Sequence, residues 1–133
     1  MSGASELRLH CAARSSCVAP VRHALRAFLE ALGFDARSLD DVTTAAGEAL
    51  ANAVEHAYGT ESARDAGVEL LARFDGDRLA VDVADRGSFK KRPPLPGRGF
   101  GLRIVRAVAR QIRIETADGT RVKMQFPGPY QKR

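Results

Sequence analysis

The sequence predicts an α+β two-layer sandwich, a mixed and mostly antiparallel sheet covered on one face by helices. Three observations carry that expectation. Two segments with helical periodicity lie together in the first half of the chain, two Asp-Gly pairs each sit between alternating segments further on, and a short alternating segment opens the chain.

Residues 6–12 place Leu7, Leu9 and Cys11 on one side of an extended chain, which suits a half-buried strand. Ser15 or Ser16 is placed to cap the helix that follows. Over residues 18–32, Val18, Val21, Leu25, Phe28, Leu29 and Leu32 recur at helical spacing, and Gly33 closes the run as a C-terminal glycine does. Ser38 can cap a second helix, with Asp40 and Asp41 in a first turn where carboxylates favour the dipole. The Ala-rich stretch that follows to Tyr58 has high helix propensity and makes this the longest element, with Gly59 as its stop and residues 59–67 as a polar turn.

Asp75-Gly76 joins strands 68–74 and 79–84, and Asp118-Gly119 joins strands 112–116 and 122–126. Between the hairpins lie a Pro- and basic-rich loop, residues 88–99, and a helix over about 100–110 with Leu102, Val105 and Val108 on one face. The order is β-α-α-β-β-loop-α-β-β. No repeat, low-complexity tract or linker interrupts it, so residues 1–133 read as a single domain.

Charge and cysteine usage narrow the class of partner. The 21 basic and 16 acidic residues leave a formal net charge of +5, but only Lys90-Lys91-Arg92 forms a run, with Lys132-Arg133 a lesser pair. Such scatter argues against a dedicated nucleic-acid binder, which would cluster its cations. Cys11 and Cys17 fit neither a CxxC nor a metal spacing and read as reduced, structural cysteines. With no apolar run of signal-peptide or membrane-spanning length, the expected location is the cytoplasm.

Chemistry is concentrated in three places. On the second helix Glu48, Asn52 and His56 fall at i, i+4 and i+8, one polar stripe on a helix whose remaining positions are mostly apolar. By itself that stripe reads more readily as a solvated face, since Glu and Asn are common on exposed helical faces. Downstream, strand 79–84 runs into Asp85-Arg86-Gly87, and Gly97, Gly99 and Gly101 precede the last helix, where free amides make an anion site. The glycine spacing fits neither a dinucleotide fingerprint nor a Walker loop, since no GK[ST] is present.

Taken in order, these segments resemble the ATP-binding domain of the GHKL superfamily, in the compact form of anti-sigma factor serine kinases. EALANAVEHAYG looks like the family's N box, VDVADRGSF like its first glycine box, GRGFGLRIV like its second, and GTRVKMQF like its closing strand. The resemblance implies a Bergerat-type fold and an ATP·Mg²⁺ ligand. Asn52 would coordinate Mg²⁺, Glu48 would act as general base, and Asp85 would accept from the adenine amino group, with Gly87 and Thr120 beside the base. Gly99, Gly101 and Leu102 would line the phosphate end. Ser88 stands where the family's first box usually has its second glycine, which places a Cβ beside the adenine pocket.

The implied function is a serine-protein kinase and anti-sigma factor. It would phosphorylate an anti-anti-sigma protein of the STAS type and sequester a sigma factor, with no direct nucleic-acid or membrane partner and with room for a homodimer. The alternative is an ATP-binding anti-sigma or adaptor module without significant kinase activity.

Overall fold

The computed structural model describes residues 4–57, 67–85, 109–115 and 120–129. Five strands form one sheet: β1 (Ser5–Cys11), β2 (Val68–Phe74), β3 (Arg78–Asp85), β4 (Gln111–Glu115) and β5 (Thr120–Pro127). Their order across the sheet is β1-β2-β3-β5-β4, and each described pairing is antiparallel. Helices α1 (Val18–Ala31) and α2 (Ala36–Ala57) pack together on one face, so the expected two-layer α+β sandwich is what forms.

Alternation along the strands separates the two faces. Val68, Leu70 and Ala72 of β2, Leu79, Val81 and Val83 of β3, and Val122, Met124 and Phe126 of β5 are buried against the helices. There they meet Leu25 and Leu29 of α1 and Val42, Ala46, Ala49 and Leu50 of α2. Each fully buried Leu contributes about 1.5–3 kcal/mol relative to leaving it exposed, which makes this interior the main stabilising feature. Phe34, in the link between the helices, meets Phe74 edge-on with ring centroids 5.2 Å apart, tying that link to the end of β2.

The opposite face is wet, as one face of an antiparallel sheet can be. It is laced with cross-strand ion pairs: Arg73–Glu6 at 3.3 Å, Arg8–Glu69 at 3.3 Å, Arg121–Asp82 at 3.9 Å and Lys123–Glu115 at 3.6 Å. Most of their side chains are about 40–60% exposed, Glu69 and Asp82 less so, and each pair contributes at most about 1 kcal/mol. In that setting partial burial raises the Asp82 carboxyl above its usual value, against the opposing charges of Lys123 and Arg121.

Expectations of helix caps and bounds are corrected at four places. Neither Ser15 nor Ser16 caps α1: a 3-10 turn, Ser15–Cys17, occupies that stretch and Cys17 stands at the N-cap with no side-chain cap bond. Helix α2 begins before Ser38, because Asp35 takes the capping role. Its carboxylate accepts from the Ser38 N–H at 3.4 Å and the Ser38 hydroxyl at 2.8 Å. Asp40 and Asp41 consequently lie beyond the first turn, which holds no acidic residue. Ala109 and Arg110 are not helical, and the Arg110 N–H donates instead to the Gln125 carbonyl at 2.7 Å.

Cys11 and Cys17 are joined in a disulfide, against the expectation of reduced thiols. The strand end and the following turn fold the intervening residues back, leaving the two Cα atoms 6.2 Å apart, within disulfide reach. The turn signals at Gly33 and at Asp75-Gly76 hold. Gly33 follows α1 at a positive φ of 91°, and Asp75 closes the β2–β3 turn by accepting from the N–H groups of Asp77 and Arg78, each at 2.8 Å. Those amides, Arg78 first, hold the Asp75 carboxyl below its usual value. The helix expected over 100–110 otherwise lies outside the described residues, as do Tyr58, Gly59, residues 88–99 and Asp118-Gly119. Among the described residues no helix is long and apolar enough to cross a membrane.

Candidate functional site

Helix α2 carries two of the candidate side chains. Its buried stripe runs through Val42, Ala45, Ala46, Ala49, Leu50 and Ala53. Glu48 and Asn52 lie one turn apart along one margin of that stripe, both half-buried. That position leaves a polar head able to meet a ligand while the stem packs on the protein. Thr43, a buried polar group of the same helix, donates its hydroxyl to the Leu39 carbonyl at 2.7 Å and so leaves the helix intact. His56 continues the spacing along the backbone, and its side chain lies outside the described residues.

Asp85 ends β3 and is only 2 % exposed, with Oδ2 sealed from solvent. A carboxylate is acceptor-only when ionised, so its burial at a strand end suits an N–H donor such as an exocyclic amine. The register places Thr120, the first residue of β5, directly opposite Asp85, while Val68 flanks Asp85 on the other side and Cys11 flanks Val68. One transverse row therefore runs Cys11–Val68–Asp85–Thr120 across four strands.

The start of β2 is fixed by a close approach. Gly67 has φ +86°, and a Cβ there would lie 2.7 Å from both the Cys11 carbonyl oxygen and the His10 Nε2. Only glycine fits that backbone and that gap without a shift.

Glu48 and Asn52 are thus brought together on one helix margin, and Asp85 and Thr120 across one strand pair. Gly87, Gly99, Gly101 and Leu102 lie outside the described residues. Reading the sequence missed Gly67 and the Cys11–Cys17 pair. The available signal for the pair was the short junction between a strand and a helix, which turns the chain back within a few residues.

A two-layer domain with its helices on one face of an antiparallel sheet, a buried carboxylate at a central strand end and a longest helix whose EALANAVEHAYG segment resembles an N box fits the GHKL class of ATP-binding proteins. Residues 11–126 match the family described as "Histidine kinase-like ATPase domain", and the chain belongs to it.

Named relatives agree. The chain is 29% identical to an "Anti-sigma F factor" of Pasteuria penetrans over 110 residues, covering 74% of this chain and 73% of that protein. It is 26% identical to a "Serine-protein kinase RsbW" of Bacillus pumilus over 128 residues, covering 84% of this chain and 79% of that one. A solved structure of the RsbU and RsbW domains of Rv1364c from Mycobacterium tuberculosis matches with a TM-score of 0.74 at 26% identity. It covers 96% of this chain, which spans 35% of that longer chain.

Proposed function

We propose that the protein is an ATP-dependent serine-protein kinase and anti-sigma factor, which phosphorylates a serine of an anti-anti-sigma protein of the STAS type and otherwise holds a sigma factor. The observation that supports it best is the pairing of Glu48 and Asn52, one turn apart and half-buried on α2, in a histidine kinase-like ATPase domain similar to proteins named serine-protein kinase and anti-sigma factor.

In this reading Asp85 accepts from the adenine amino group, with Thr120 and Gly87 beside the base. Gly99 and Gly101 would give amides to the phosphates, and Leu102, in the same GRGFGLRIV segment, would contact the nucleotide. Asn52 offers a hard side-chain oxygen to Mg²⁺, which when bound neutralises charge on the phosphates. Glu48 takes the proton of the attacking serine hydroxyl, and the rest of catalysis is positioning.

The test is incubation of the pure protein with γ-labelled ATP and candidate STAS-domain proteins, followed by mass spectrometric location of the phosphate. Transfer to one serine of a partner supports the kinase. ATP binding and sigma-factor binding with no transfer to any cognate partner would leave an ATP-binding adaptor in its place.

A further inference from the structure

We propose that Cys11 and Cys17 form a reversible thiol–disulfide couple that answers to small-molecule disulfides and acts on the edge of the nucleotide site. The pair is bonded across the junction between β1 and α1, at a Cα separation of 6.2 Å. Both cysteines line an open groove of about 400 Å³, together with Leu9, Arg14, Pro20 and Val21. Cys11 is half-buried and reachable from that groove, whereas Cys17 is only 7 % exposed.

That asymmetry assigns the roles. A small thiolate attacks Sγ of Cys11 and the Cys11–Cys17 bond breaks. Cys17 leaves as thiolate at the N-cap of α1, where the helix-start amides favour negative charge. A second small thiolate then attacks the mixed disulfide on Cys11, releasing the small disulfide. Two electrons have passed from two small thiols to the protein, and two protons finish on Cys11 and Cys17. Oxidation is the reverse, with the small disulfide as electron acceptor.

The couple reaches further than its own corner. Cys11 is the first member of the row Cys11–Val68–Asp85–Thr120, two strand spacings or about 10 Å from Asp85. Its carbonyl is also the atom against which Gly67 is packed. A closed disulfide ties that end of the row covalently to the start of α1, and reduction removes that tie while the β1–β2 pairing stays. The effect on ATP rests on the reading of Asp85 given above, while the couple itself does not.

The experiment equilibrates the full chain in glutathione buffers from fully reduced to fully oxidised, labels free thiols with maleimide and reads intact mass. Two labels should appear in reduced buffer and none in oxidised buffer, and Cys17→Ser should instead carry one glutathione on Cys11. The oxidised form should melt about 5–10 °C above the reduced form, and the Cys11→Ser/Cys17→Ser protein should melt with the reduced form in both buffers. Two labels in every buffer, or none in any, would overturn the couple. ATP affinity should differ about fivefold between the two forms and be buffer-independent in the double variant. Equal ATP affinity in both forms would overturn the coupling, whereas absence of ATP binding in both would strike the nucleotide-site reading and leave the labelling result standing.

Discussion

At the scale of single residues, the chemistry of Asp85 and Asn52 differs in what each can lose. Asp85 is a buried acceptor, and a hydrogen bond to a charged group contributes about 1.5–3 kcal/mol. Asp85→Asn keeps the size but turns part of the acceptor into a donor, which opposes the adenine amine and suits the guanine carbonyl. ATP affinity should fall about 10–100-fold while GTP affinity does not fall, as titration calorimetry would show. Equal ATP affinity in the two proteins would leave Asp85 as a structural residue at the end of β3. In its proposed role Asn52 acts through a cation instead, so Asn52→Ala should weaken ATP strongly in Mg²⁺ and change little in EDTA. Unchanged Mg·ATP affinity would remove Asn52 from the site.

Elements show which features a one-dimensional pattern carries. The period of 3.6 placed Glu48 and Asn52 on one helix face, and the period of 2 placed Leu7, Leu9 and Cys11 toward the helices, since both depend only on near neighbours. Helix starts depend on more. Asp35 and Ser38 are both short polar caps three residues apart, and the choice of Asp35 is accompanied by burial of Phe34 against Phe74, a contact between distant parts of the chain. The row Cys11–Val68–Asp85–Thr120 is likewise set by non-local register, which no local pattern contains. Gly67 sits at that level, and Gly67→Ala should destabilise the protein by about 1–3 kcal/mol through backbone strain and the clash with Cys11. Urea unfolding of the variant measures it, and an unchanged midpoint would mean that the start of β2 shifts freely. On the wet face, Asp82 binds its proton more tightly folded than unfolded. It therefore favours folding when protonated, and that contribution is lost as pH rises through the interval from 3.8 upward. Asp82→Asn should make stability rise more steeply with pH between about 3 and 6, by under about 1 kcal/mol in total because Asp82 is partly exposed and ion-paired. Denaturant midpoints across that range decide it, with identical slopes counting against the effect.

At the scale of the whole molecule, the proposed function makes nucleotide binding, phosphotransfer and sigma-factor binding separable properties of one sandwich, and Glu48 is the residue that would separate them. Its side chain sits on the margin of α2, outside the buried stripe, so its removal leaves the interior of Leu50, Val81 and Met124 untouched. A general base contributes about 10²–10⁴-fold to rate and little to ground-state binding of the nucleotide. Glu48→Ala should therefore fold with parental stability and bind ATP nearly normally. Sigma-factor binding should persist, and single-turnover phosphorylation of the STAS partner should fall by at least about a hundredfold. The measurement pairs a single-turnover time course, with partner in excess, with an ATP titration for parent and variant. If the variant transfers at the parental rate, Glu48 is a solvated helix residue, and catalysis rests on positioning and charge neutralisation alone. If transfer and ATP affinity fall together by the same factor, Glu48 acts in binding, and the proton must leave the serine by another acceptor. Only a fall in transfer with ATP affinity kept assigns the proton to Glu48.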